Sequence, residues 1–345
     1  MLIRVFILIF TLISHEFFSF KTHAYTPGNI EFDVEIDFAE EVPEYSFLER
    51  ATELNRGRLW GVSGGLVGTW GITLIGLNEL WYKDYERTSF QFFDDSREWL
   101  QMDKVGHVYN SYYMSRFGTG LYRWTGLEEK KAIWIGGLTG TFLLSAVEIL
   151  DGFSAEWGFS ISDFGANMLG SGIVIAQELA WQEQRISIKL SAFPQNYPDK
   201  LTERAEYLYG TGLHEMVLKD YNAITGWLSV NPASFLNEKP DWLPAWLNMA
   251  VGYGAGGMYG GFENVWCGLN NSADISDCPP EMIMDYSHIP RVRKYYLSPD
   301  IDFSRIETNS KVLDVLLEVL NIVKLPAPAL EYNSQDKLRW HWLFF

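Results

Sequence analysis

The chain has 345 residues, 47% of them hydrophobic and 16% aromatic, which excludes a disordered polymer and allows one large or two ordinary domains. A formal net charge of -17 and a pI near 4.8 exclude a nucleic-acid partner, because phosphate binding needs a basic footprint. The abundance of Trp (14), Tyr (18) and Phe (22) favours a membrane–water interface or large buried surfaces and points to the cell envelope.

Residues 1–24 place Arg4 before the apolar run Val5 to Ile13 and end with the small residues Thr22 and Ala24, the pattern of a cleaved secretory signal peptide. The run is too short to cross a bilayer. No cysteine lies near it, so lipid attachment at the mature N-terminus is not expected. Residues 25–57 follow, with Glu31, Asp33, Glu35, Asp37 and Glu40 among Pro27 and Pro43, and read as an acidic, extended, solvated lead-in.

Three apolar segments come next: Leu59 to Trp81, Ala132 to Val147 and Phe164 to Ala176. Their lengths of 23, 16 and 13 residues sit at or below the threshold for a spanning helix. Gly61 with Gly65, Gly64 with Gly68, Gly136 with Gly140, and Ala166 with Gly170 make small-xxx-small pairs that let helix backbones approach closely. With Asp103 to Phe117 as an amphipathic fourth helix, residues 58–185 are expected to form a compact, membrane-type four-helix bundle.

From residue 186 to 345 the texture changes. RISIKLSAF, TGWLSV, WLNMAVGYG and KYYLSPDIDFSRI alternate β-branched or aromatic residues with Gly and Pro, which suits short strands in a loop-rich region. One amphipathic helix, Lys311 to Val323, interrupts it. The C-terminal KLRWHWLFF ends like an outer-membrane barrel strand, but Arg339 and His341 share the alternating row of Leu343 and Phe345. Cys267 and Cys278 are spaced for a loop-closing disulfide in an exported protein. The fold expected overall is mainly α.

Polar residues collect at helix ends. Asp103 and His107 are i,i+4 on one helix, Glu148 and Asp151 i,i+3 at the end of the second apolar segment, and Asp163 and Asn167 i,i+4 at the start of the third. If helix directions alternate, these residues and Lys104 share one pole, while Arg56, Arg58, Arg116, Arg123, Lys130, Lys131, Arg185 and Lys189 share the other. Asp103 and Asp163 suit helix N-termini, and Ser160-Ile161-Ser162-Asp163 has the form of a capping box. Glu148 lies where the helix dipole disfavours an anion, and so requires a partner such as Lys104 or His107. The types of His107, Glu148, Asp151 and Asp163 suit a divalent metal, but the metal-ligand spacings that would specify one are missing, and neither metal nor cofactor is expected.

DKVGH (Asp103 to His107), EILDGFSAEWGFSISD (Glu148 to Asp163), FGAN (Phe164 to Asn167) and LGSG (Leu169 to Gly172) together resemble the signature of the YfiM-like family, predicted periplasmic or outer-membrane lipoproteins of unknown function. More distantly, the same order is similar to the VanZ-like membrane proteins. The resemblance covers about 80 residues and implies a helical envelope module. It leaves the lead-in and the C-terminal half uncovered, and the chain departs from the lipoprotein pattern in lacking the lipidation cysteine.

The expected function is a non-enzymatic, membrane-associated envelope protein that meets lipid or another envelope component and uses its Asp/His/Glu pole structurally or for interaction. Arg56 and Arg58 would enter an inner membrane from the outside, which favours the periplasm or outer membrane. The alternative is a lipid- or cell-wall-directed hydrolase with His107 as general base, oriented by Asp103 or Glu148.

Overall fold

The computed structural model describes residues 47 and 49–345 apart from 81, 82, 84, 85, 156, 213, 214, 216–218 and 307. The expected signal peptide, 1–24, and residues 25–46 of the lead-in lie outside the described residues. The rest of the lead-in is tied down. Phe47 packs edge-on against Trp124, and the Asn55 amide donates to the Thr125 carbonyl at 2.8 Å.

The N-terminal half is helical: α1 (Arg56–Leu80), α2 (Met102–Trp124), α3 (Glu129–Gly137), α4 (Thr139–Asp151) and α5 (Ile161–Trp181). The second apolar segment is thus two helices meeting at Leu138. The interior between α2, α4 and α5 combines small and hydroxyl residues with an apolar cluster that includes Tyr112, Leu144 and Val174. Ser115 and Ser171 share a hydrogen bond at 2.8 Å, Thr141 donates to Ser171 at 2.7 Å, and the Gly140 amide donates to Ser115 Oγ at 3.1 Å. Backbones meet at glycine: a Cβ on Gly140 would stand 2.2 Å from the Ser111 carbonyl oxygen, and one on Gly170 2.4 Å from that of Val108. On α1, by contrast, nothing among the described residues lies within 4 Å of such a Cβ on Gly61, Gly64, Gly65 or Gly68. The two kinds of site predict opposite outcomes. Gly170→Leu should destabilise the fold by at least about 1–3 kcal/mol through overpacking. Gly65→Leu should stay within about 0.5 kcal/mol, the two compared by thermal unfolding in one detergent.

The C-terminal half is where the expected mainly α architecture fails. Strands β1 (Ile186–Ala192), β2 (Ile224–Val230), β3 (Leu247–Gly256), β6 (Val292–Ile301), β7 (Ala327–Asn333) and β8 (Lys337–Phe344) form one antiparallel six-stranded sheet in that order. A separate ribbon pairs β4 (Val265–Cys267) with β5 (Ile283–Asp285). The protein is mixed α/β, not a four-helix bundle followed by loops. What read as isolated short strands are joined by antiparallel pairing into a sheet, and α2, which packs chiefly on α3, α4 and α5, also lies against β1 and β2 of that sheet. Val105 of α2 sits over Gly226, and Tyr112 and Tyr113 cluster with Ile188. Two short α-helices, α6 (Thr202–Tyr209) and the amphipathic α7 (Lys311–Leu320), and several 3-10 turns lie between the strands. Cys267 and Cys278 are disulfide-bonded, with Cα atoms 5.7 Å apart.

One sheet face looks toward α2 over β1 and β2. The other is polar and covered: Lys189 Nζ lies 2.8 Å from Asp300, Ser229 donates to Asp300 at 2.6 Å, and Asn248 donates to Ser229 at 2.9 Å. Lys324 stacks its ammonium 4.4 Å from the Trp227 ring centroid. Lys189 therefore leaves the basic pole expected of it and is fully buried in β1. Other members of that pole are neutralised where they stand, Arg116 by Glu318, Arg123 by Glu129 and Glu178, Lys131 by Glu128 and Arg185 by Glu183.

Candidate functional site

A buried charge network forms where the start of α2, the end of α4 and the start of α5 meet. Its centre is Lys104, whose Nζ lies 2.7 Å from Asp95 Oδ2, 2.7 Å from Asp163 Oδ1 and 3.2 Å from Asp103 Oδ2. Asp95 comes from the loop before α2 and is fixed by two hydroxyls, Ser160 at 2.5 Å and Ser162 at 2.6 Å. Ser160 also caps α5, accepting from the Asp163 amide at 2.9 Å, so one serine joins the helix start to the loop. From the sheet side, Tyr221 donates to Asp103 Oδ1 at 2.8 Å.

His107 lies one turn into α2 and is 3% exposed. Its Nδ1 is 3.0 Å from Asn167 Oδ1 and 3.8 Å from Glu148 Oε1, while Nε2 is 3.6 Å from Asp163 and 3.8 Å from Asp103. The imidazole is thus ringed by the acids of three helices. Asn167 Nδ2 is buried without a hydrogen-bond partner among the described residues.

The backbone before α2 aims this cluster. Trp99, Leu100 and Gln101 all have positive φ (49°, 50° and 66°), a conformation that costs non-glycine residues free energy and persists only when surroundings enforce it. They are held by the Tyr253 hydroxyl on the Leu100 carbonyl at 2.5 Å and by the Trp99 amide on the Gly261 carbonyl at 2.7 Å. Sheet and loop together therefore set the register at which Asp103, Lys104 and His107 enter the helix.

Environment separates the acids. Burial raises the Asp95 carboxyl, but hydrogen bonds from Asp163, Lys104 and the two serines overcome it and hold Asp95 well below the carboxylate range. Asp103 is also lowered, its burial outweighed by His107, Lys104 and Tyr221. Asp163 goes the other way, pushed up to about 7 by burial and by Asp103 and Asp95 against the pull of His107 and Lys104. Glu148 is pushed up to about 10 by burial and then by the fields of Asp163, Asp151 and Asp103. Glu98, beside the cluster, is pushed up to about 7 by burial and by Asp103. Lys104 is raised because its acids outweigh its burial. At neutral pH the network thus holds ionised Asp95 and Asp103 around a charged Lys104, with Glu148 protonated.

Of the residues expected at one pole, Asp103, Lys104, His107, Glu148, Asp163 and Asn167 meet in space, and Asp151 adds its field to Glu148. Sequence reasoning missed Asp95 and Tyr221. Asp95 lies in a loop without periodicity, and Tyr221 is 118 residues from the Asp103 it serves. The only sequence signal for Asp95 is its position shortly before a helix start.

Asp103, His107 and Asp163 each offer a ligand atom, all within 4.8 Å of one another. The Lys104 ammonium already lies at hydrogen-bond distance from two of these residues, so a divalent cation would have to displace it. A cavity of about 490 Å³ opens elsewhere, on the polar face of the sheet beside Lys294, Glu331 and His341, and no residue of the network lines it.

Residues 91–177 match the family described as predicted periplasmic lipoprotein (DUF2279). The match begins in the loop that carries Asp95 and ends in α5, so it covers the whole charge network except Tyr221. It makes the chain an exported protein of the cell envelope, in the periplasm or outer membrane. No curated protein and no solved structure matches the chain. The likeness supports an uncharacterised periplasmic lipoprotein family and does not extend to the YfiM-like or VanZ-like groups in particular.

Proposed function

We propose that the protein is a non-enzymatic, membrane-associated component of the envelope, in which the Asp95–Asp103–Lys104–His107–Asp163 network is the structural junction between its helices and its sheet. The observation that carries this reading is the polarity of the helical half, which buries hydroxyl and amide side chains beside Tyr112, Leu144 and Val174 while other large apolar side chains stand outside. Ser111, Ser115, Thr119, Asn167 and Ser171 are buried between the helices, while Trp134, Phe142, Ile149, Met168 and Leu169 stand exposed. Water would favour the reverse arrangement, whereas in lipid apolar side chains face outward and small or hydroxyl residues pack helix against helix. Helix α1 adds Trp60, Val67, Ile72 and Ile75 to the exposed apolar surface. The narrower YfiM-like likeness rests on the same network residues and fits the same envelope role.

The junction reading also accounts for the charges. Lys104 is enclosed by three carboxylates, and Tyr221 ties the group to the sheet half. A hydrolase would need His107 open to a substrate, and His107 is sealed.

His107→Ala separates the two readings. A junction residue should cost about 1–3 kcal/mol of stability by leaving Asn167 and the acids without their partner. An unchanged thermal midpoint together with loss of a hydrolytic activity on envelope lipid or cell wall would refute the structural reading.

A further inference from the structure

The sheet repeats the polarity inversion on independent elements. Cross-strand registry aligns Leu228, Val251, Leu297, Leu330 and Trp340 in one row across β2, β3, β6, β7 and β8. All five are exposed. The next row on the same face carries Tyr253, Tyr295, Tyr332 and Leu338. The opposite face, in the positions between, carries Trp227, Tyr296 and Glu331 in one row, with Ser229 and Ser298 in another, all buried. Two of its buried charges are paired internally, Lys189 with Asp300 and Glu331 with His341 at 2.7 Å, and the Glu331 row ends on the exposed Arg339 of β8.

A water-facing antiparallel sheet buries its apolar face and solvates its polar one. Here the polar face is enclosed and the apolar one is open, the alternation of sheets that stand in lipid, where aromatic residues collect near the headgroups. A β-bulge in β8 preserves the pattern. Register shifts between Ala327 and Ala329, opposite His341 to Phe344, so that Phe344 turns inward onto Tyr296 and Trp227 while Trp340 and Trp342 stay exposed. The nearby α7 presents Val312, Leu313, Val315, Leu316 and Leu320 to the outside. Its opposite side bears Glu318, paired with Arg116, as in helices that lie in a membrane interface.

We infer that the open face of β3, β6, β7 and β8 lies against lipid acyl chains, so that the sheet as well as the helices is seated in the membrane. Acyl chains fit this surface because it is apolar over consecutive registered rows and has no charged residue in either. The inference rests on the membrane-associated reading above and extends it to a surface outside the family match.

The test uses the full chain with Val251→Cys, Leu297→Cys or Leu330→Cys, each labelled with a nitroxide without reductant so that the Cys267–Cys278 bridge is kept. The labelled chain is placed in phosphatidylethanolamine–phosphatidylglycerol vesicles. Collision with oxygen is compared with collision with a water-soluble nickel chelate, and Ser276→Cys in an exposed loop is the aqueous reference. The expected result is oxygen accessibility several-fold above that of nickel at all three sheet positions and the reverse at position 276. Nickel accessibility equal to that of the loop would show water on the face, and low accessibility to both reagents would show a protein cover. Either overturns the inference. Flotation of the same samples with the vesicles reads membrane association separately, so a floating chain with wet sheet labels would defeat only this inference.

Discussion

Lys104→Met is expected to destabilise the folded protein by about 3–5 kcal/mol, the cost of leaving buried charges without their counter-ion. Three carboxylates converge on this ammonium, Asp95 and Asp163 each at 2.7 Å and Asp103 at 3.2 Å. Methionine keeps the length and apolar stem of the side chain, so the loss is one of charge and hydrogen bonds and not of packing. Two of the acids are held ionised by hydrogen bonds as well, and cannot neutralise themselves without breaking those contacts. In detergent micelles the thermal midpoint should fall by roughly 10 °C. Lys131→Met is the control: it removes an exposed pair with Glu128 and should change stability by no more than about 0.5 kcal/mol. Asp163→Asn in the Lys104→Met background should recover part of the loss, because it removes one of the acids left without a cation. A Lys104→Met protein as stable as the parent would show that the network does not hold the fold together.

The same acids set the response to pH. Glu148 has its carboxyl raised to about 10 from an ordinary 4.5, and Asp163 and Glu98 are each raised to about 7 from 3.8 and 4.5. A raised carboxyl binds its proton more tightly in the folded chain than in the unfolded one. Its contribution is complete below the unfolded value and is lost as pH rises toward the folded value. Asp95 and Asp103 are lowered, so their contribution is present above about 3.8 and is lost as pH falls below it. Stability should therefore peak near pH 4 to 5 and decline through neutrality. At about 1.4 kcal/mol for each unit of pKa difference, discounted for relaxation of the buried site, the loss between about pH 5 and about pH 9 is of order 3 kcal/mol. Thermal midpoints across this range check it, and Glu148→Gln, a neutral isostere, should flatten the slope. A midpoint that rises with pH, or a slope unchanged in Glu148→Gln, would contradict the assignment.

The convergence of Asp103, His107, Glu148, Asp163 and Asn167 was legible in the sequence because cap positions and i,i+4 spacing are local, and alternation of helix direction does the rest. The partners of the network were not. Asp95 is placed by a loop whose backbone at Trp99 to Gln101 takes positive φ, which no periodicity announces, and Tyr221 arrives from the other half of the chain. The sheet was hidden for a different reason. Its strands do alternate, but the apolar row faces outward, and in β8 the bulge shifts the parity so that Arg339 and His341 look misplaced beside Leu343 and Phe345. The glycines were half readable: Gly140 and Gly170 mark helix crossings, while a Cβ at the identically spaced glycines of α1 would meet nothing within 4 Å among the described residues.

The central claim is that the exposed apolar surfaces of the helices are solvated by lipid, and the most direct measurement is an extraction series on membranes from cells expressing the full chain. Membranes are washed with high salt, then with alkaline carbonate and urea, and finally with a mild detergent. The protein should stay in the pellet through the salt, carbonate and urea washes and enter the supernatant only with detergent. Recovery in the soluble fraction after the salt wash alone would contradict a lipid-seated protein.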